Sequence, residues 1–219
     1  MRHSAGVDLD LPVPASGRRL TRRVGQLYAG LVLYGLSLAL VVDARLGVAP
    51  WDVLHQGLAH VTGRSMGTCL VAVSGLVLLL WIPLRQRPGF GTLSNAVLIG
   101  VVLDAALAVL PRLSGVPLRL GALAAGVALN AVATAAYIGA RIGSGPRDGL
   151  MTGLAARGRS VRTVRTALEV SVLGIGWLLG GTVGLGTVVY ALGIGPLVHP
   201  LLPRLVVPEQ APSPLAGPA

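Results

Sequence analysis

The chain has 219 residues, of which 53% are hydrophobic and only 12% charged, and its mean hydropathy is +0.74. That charge is too little to cover a water-soluble globule of this size, which excludes an ordinary soluble domain and calls for an apolar solvent. The formal charge of +10 comes from 18 basic residues, all arginine and mostly set between apolar windows, so they read as topology signals rather than a nucleic-acid surface.

Residues 1–20 mix Pro, Ser, Gly, Asp and Arg without periodicity and are expected to be a disordered cytoplasmic tail. The first apolar window, Val24–Val42, follows Arg18, Arg19, Arg22 and Arg23 in the manner of a signal peptide. It is long for a signal h-region and is expected to stay as a membrane span. Further windows follow at Met66–Leu84, Thr92–Leu110, Leu120–Ala140, Thr166–Leu185 and Gly186–Leu202, each near the length of about 20 residues that crosses a hydrocarbon core. Gly180, Gly181, Gly184 and Gly186 are expected to turn the chain between the last two. The Pro-rich residues 208–219 form a second expected disordered tail.

Six spans put both termini on one side. With that side inside, fourteen arginines lie in cytoplasmic segments against Arg45, Arg64, Arg112 and Arg119 outside, which predicts a multi-pass protein of a bacterial cytoplasmic membrane with both termini cytoplasmic. Cys69, the single cysteine, falls inside an apolar window and is expected to be a packing residue.

The sequence repeats itself. Leu46–Leu58 (LGVAPWDVLHQGL) and Ile142–Leu154 (IGSGPRDGLMTGL) align at an offset of 96, matching Pro50, Asp52 and Gly57 with Pro146, Asp148 and Gly153. At an offset of 95, Gly89, Gly91 and Thr92 recur as Gly184, Gly186 and Thr187. The expected all-α architecture is therefore two three-span repeats, residues 21–115 and 116–207, each with a short broken or re-entrant helix after its first span. An odd number of crossings inserts the second copy upside down, as in many secondary transporters.

The GxxPWDVLHQGL and GPRDGLMTGL stretches, a GxGT turn in each half and the intramembrane Asp104 resemble the bacterial YczE-like membrane proteins, akin to the YyaS- and YitT-like groups. The resemblance covers roughly residues 24–205. It implies a multispan protein of the bacterial cytoplasmic membrane, in some members linked to production of secondary metabolites, and it carries over no substrate or catalytic residue.

Asp52 and Asp148 follow prolines suited to a first helical turn, where free N–H groups and the dipole favour a carboxylate, so capping is one reading. The other is that two half-helices line a central cavity. On the first, Val53, Leu54, Gly57, Leu58 and Val61 form an apolar stripe with His55, Gln56 and His60 off it, which fits an interfacial helix equally well. Asp104 and Glu169 lie within spans, where carboxylates are costly and functional by default. Asp104 aligns with His199 across the repeat and could share a proton with it, or either could be static. Arg147 could bind an anion at its helix start or neutralise Asp148, and Asn95 and Asn130 could bridge helices or face a substrate.

No phosphate loop, nucleophile triad, haem motif or cysteine cluster is present, so neither an enzyme nor a metal or cofactor site is expected. The leading expectation is a secondary transporter or exporter of a small organic metabolite, with membrane lipid and a small-molecule substrate as partners, no nucleic acid, and a homodimer left open. The alternative is a non-transporting scaffold or accessory factor that positions a biosynthetic or regulatory partner through the arginine-rich loop Arg157–Arg165.

Overall fold

The computed structural model describes residues 17–208, and among them every regular element is an α-helix. The helices are α1 (Gly17–Ala44), α2 (Pro50–Thr62), α3 (Met66–Leu84), α4 (Phe90–Val109), α5 (Val116–Gly139), α6 (Pro146–Ala155), α7 (Val161–Leu178) and α8 (Leu185–Leu205). Of the expected terminal tails, residues 1–16 and 209–219 lie outside the described residues, while Gly17–Leu20 already belong to α1.

Local chemistry explains the breaks between helices. Pro50 and Pro146 open α2 and α6, each after a residue in extended conformation, Ala49 and Gly145, because proline gives up no hydrogen bond in a first turn. The Ser65 side chain accepts from the Thr68 N–H at 3.2 Å and so starts α3. Arg45 and Arg141, which follow α1 and α5 at matching places in the repeat, both adopt φ of 54°. Left-handed backbone is rare for a residue with a Cβ, so the likeness of the two halves extends to a strained turn.

Among the described residues five helices are long and apolar enough to cross a bilayer: Arg19–Ala44, Met66–Leu84, Phe90–Val109, Val116–Gly139 and Leu185–Leu205. The fifth expected window, 166–185, divides differently. The backbone turns at Gly180 with φ of 95°, which ends α7 at Leu178, and the helix gains its length upstream, where it takes in Arg162 and Arg165 besides Glu169. The apolar residues between Leu178 and Leu185 therefore serve a turn and not a span.

At the centre α1 lies along α5. Gly126 admits the contact, since a Cβ there would stand 2.7 Å from the Val41 side chain and 3.1 Å from the Ser37 carbonyl. α1 also packs on α4, and α5 on α8. The short helices cross over: α2 packs against α7 and α6 against α3. α3 and α4 are pressed together where Gly67 meets the Gly100 carbonyl, whereas α7 and α8 scarcely touch. Leu27, Leu31, Leu38, Leu70, Ile99 and Leu103 fill one core, and Trp51, Val73, Val77, Trp81, Leu150 and Val172 another. Large apolar side chains also face outward, among them Ile82 (71% exposed) and Leu192 (72%), a surface suited to lipid and not to water.

Candidate functional site

The starts of α2 and α6 meet. The guanidinium carbon of Arg147, second residue of α6, lies 5.1 Å from the centroid of the Trp51 ring, second residue of α2. The same guanidinium places Nη2 3.7 Å from Oδ1 of Asp52. Trp51 and Arg147 occupy equivalent places in the two motifs, so their contact marks where the two halves face one another.

Around this junction is a cavity of about 370 Å³. Its wall includes Pro50 and Trp51 from α2, Pro146, Arg147 and Asp148 from α6, Tyr34 from α1, Asn95 from α4, Tyr137 from α5, Arg165 and Glu169 from α7, and Tyr190 and His199 from α8. The wall thus draws on both halves. Where α7 and α8 part, it is lined by Arg165, Glu169, His199 and Leu202.

Asp52 lies just behind the wall, 2% exposed, with Oδ1 3.1 Å from Nδ1 of His55, itself 1% exposed. A carboxylate and an imidazole this deep need one another, because an unpaired buried polar group costs about 1–3 kcal/mol. The expectation that His55 turns away from the apolar side of α2 is therefore overturned: the helix is packed on both sides, and the histidine faces inward to its carboxylate. Asp52 also departs from the capping reading, since its contacts are His55 and Arg147 and not a backbone N–H of its own helix. Asp148 accepts from the Tyr137 hydroxyl at 3.1 Å. Arg147 makes its ion pair with Asp52 of the opposite motif, not with its neighbour Asp148.

A second polar group stands next to the cavity. Asn130, wholly buried, donates from Nδ2 to Ser37 Oγ at 2.8 Å and accepts through Oδ1 from the Tyr190 hydroxyl at 2.8 Å, tying α5 to α1 and α8. The loops that aim the two motif helices are clamped crosswise. The Gly91 N–H donates to the Ile142 carbonyl at 3.1 Å, and the Gly186 N–H donates to the Leu46 carbonyl at 2.7 Å. Each GxGT turn therefore holds the loop that leads into the other motif, and Thr92 adds a bond from Oγ1 to the Ser144 carbonyl at 2.7 Å. Glycine is required here, since a Cβ on Gly186 would run into the Gly47 carbonyl.

Other expected site residues lie apart. Asp104 accepts from Ser65 Oγ at 2.5 Å and from the Gly67 N–H at 2.8 Å, so it binds α4 to the first turn of α3. His199, its match in the repeat, lines the cavity and is exposed, so the structure does not pair the two. Glu169, 30% exposed, makes an ion pair with Arg165 one turn earlier at 2.8 Å. Gly57 abuts the Gly176 carbonyl, which lets α2 lie on α7, and Gly153 faces Leu84 and Gln86 beyond α3. Among the described residues no three His, Cys, Asp or Glu gather as metal ligands.

Sequence reasoning passed over the aromatic lining. Three of the four tyrosines, Tyr34, Tyr137 and Tyr190, face the cavity, and Trp81 donates from Nε1 to the Pro146 carbonyl at 3.0 Å. Their scarcity was the usable signal: in a chain with 4% aromatic residues, three tyrosines inside apolar windows stand out.

A family described as "Family of unknown function (DUF6198)" matches residues 21–202. Among individual relatives, an uncharacterised protein of Haemophilus influenzae is 39% identical over 179 residues, covering 81% of this chain and 82% of that protein. The uncharacterised membrane protein YczE of Bacillus subtilis is 31% identical over 182 residues, 82% of this chain and 85% of its own. The uncharacterised protein YyaS of the same species is 28% identical over 181 residues, 80% and 89% of the two chains. No solved structure matches the chain. With the match running from the first span to the end of the last, the chain belongs to the DUF6198 family of YczE-like membrane proteins.

Proposed function

We propose that this protein is a secondary transporter or exporter of a small organic molecule, built as two inverted halves of three crossings each and seated in a bacterial cytoplasmic membrane with both termini inside. The observation that carries the reading is the convergence of the α2 and α6 starts on one cavity, with Arg147 stacked on Trp51 where the halves meet. Broken helices that meet at a repeat interface are the common site plan of secondary transporters. In this reading α7 is also a crossing, the fifth of six, with Arg162 and Arg165 reaching the cytoplasmic interface along their aliphatic stems.

The crosswise packing of α2 on α7 and α6 on α3 supports the inversion, because a twofold axis exchanges those two contacts. The breaks in that symmetry support transport. One pair, α3 and α4, is closed by Gly67 against Gly100 and by the Asp104 bonds, while its counterpart, α7 and α8, stands parted beside the cavity. In inverted halves these are the two ends of one rocking motion, and exchanging them would close the present mouth and open the opposite one.

Counterflow in liposomes tests the reading. Vesicles holding purified protein are loaded with unlabelled amino acids, carboxylic acids or amines and given the labelled compound outside. One class is expected to accumulate saturably, with the rate falling about tenfold or more in Asp148→Asn, as loss of a charge-assisted bond at the site predicts. No movement of any class, or flux unchanged in a folded Asp148→Asn protein, would count against transport through this cavity.

A further inference from the structure

Resting on the cavity just described, we propose that its occupant is a zwitterion of amino-acid size, its carboxylate held by Arg147 and its ammonium by Asp148. The Trp51 ring lines the cavity, and the Arg147 guanidinium beside it makes no hydrogen bond. Its ion pair with Asp52 spans 3.7 Å, beyond hydrogen-bond length, and its other contact is the face of the Trp51 ring, so the planar fork of donors has no bonded oxygen. The positive ends of α2 (13 residues) and α6 (10 residues) abut the same space, which favours a carboxylate there.

The lining is not simply cationic, and this selects a zwitterion over a bare anion. Asp148 stands directly beside Arg147 and uses Oδ2 for the Tyr137 hydroxyl, which leaves Oδ1 to accept. The Tyr34 and Tyr190 rings share the wall. Arg165 and Glu169 neutralise each other, and Asp52 with Arg147 forms a second opposed pair. A lone anion would meet Asp148, and a lone cation would meet Arg147. A molecule with both charged groups on one carbon satisfies both, and Arg147 and Asp148 both line the cavity. Ile99, Ile194 and Val198 remain to receive an apolar side chain, and about 370 Å³ is in the usual range for a small organic ligand.

Protein in nanodiscs, with the exposed Trp177 replaced by phenylalanine so that Trp51 and Trp81 report, is titrated with each of the twenty common amino acids. Every amino acid that changes the fluorescence is then compared with its decarboxylated amine and its deaminated acid. At least one amino acid is expected to bind saturably, about tenfold or more tighter than either singly charged analogue, the size of one charge-assisted contact. Arg147→Gln should erase the preference over the amine, and Asp148→Asn the preference over the acid, with unfolding temperatures confirming the fold of each variant. Binding by none of the twenty, or an analogue binding as tightly as its parent, overturns the proposal. The bound amino acid then enters the counterflow assay: binding without flux upholds the site and removes transport, while flux of a singly charged compound with no amino-acid binding does the reverse.

Discussion

Asn130 has no exposed surface, and its amide is divided between the Ser37 hydroxyl and the Tyr190 hydroxyl. Hydrogen bonds between membrane helices contribute less than their apolar surroundings suggest, about 0.6 kcal/mol on average and at most about 1.7, because the separated helices find other partners in the membrane. Asn130 serves two at once, and removing it takes away the acceptor of the Tyr190 hydroxyl, while Ser37 keeps its bond to the Tyr34 carbonyl. Asn130→Ala is therefore expected to destabilise the protein by about 1–3 kcal/mol in reversible unfolding from detergent micelles. Loss of stability with the lining otherwise intact would identify Asn130 as the strut that positions Tyr190. Among the residues flagged from sequence, Asn130 and Asp104 have become bridges between helices, whereas Asn95, Glu169 and His199 border the cavity. Residue type alone did not separate these groups, because a polar side chain in a span is equally costly whether it faces another helix or an enclosed space.

The first turn of α3 is held to α4 by one carboxylate. Asp104 takes the Ser65 hydroxyl and the Gly67 N–H, and Gly67 is pressed against Gly100 at the same level. Cys69 lies in the following turn at 6% exposure. Asp104→Ala removes two bonds to a charged group and should ease opening of that turn by about 2 kcal/mol, which raises the rate of maleimide labelling at Cys69 about thirtyfold. An unchanged labelling rate would mean that the glycine contact alone keeps α3 closed.

Helix positions were legible in the sequence to the extent that glycine and proline punctuate it. Pro50 and Pro146 marked the two short helices, and the windows at 66–84 and 92–110 nearly coincide with α3 and α4. The window 186–202 falls within α8 and the expected turn is made at Gly180, but the window 166–185 was set too far along the chain, because hydropathy counted the apolar Leu179, Val183 and Leu185 and passed over the upstream turn that carries Arg162 and Arg165. The crossing of the short helices was hidden for another reason. Which helix α2 lies on depends on pairs such as Gly57 and Gly176, far apart in the chain, and small residues are too frequent in membrane helices to single out such a pair.

At the scale of the whole molecule, the proposed inversion makes a claim about sides. In a Cys69→Ser background, Arg64→Cys in the link from α2 to α3 and Arg159→Cys in the link from α6 to α7 occupy matching, exposed places in the repeat. An impermeant maleimide should label the first in intact cells and the second only after the membrane is opened. Labelling of both from one side would abolish the twofold arrangement and the rocking built on it. The reciprocal bonds of Gly91 to Ile142 and of Gly186 to Leu46 have a consequence for assembly. Neither motif is aimed by its own half, so a fragment ending after α4 holds a finished clamp with nothing to grip and an unsupported loop. The protein behaves in this respect like two subunits sharing a backbone. It matures only when the later-made half has entered the bilayer, and damage to either glycine turn is felt first across the junction.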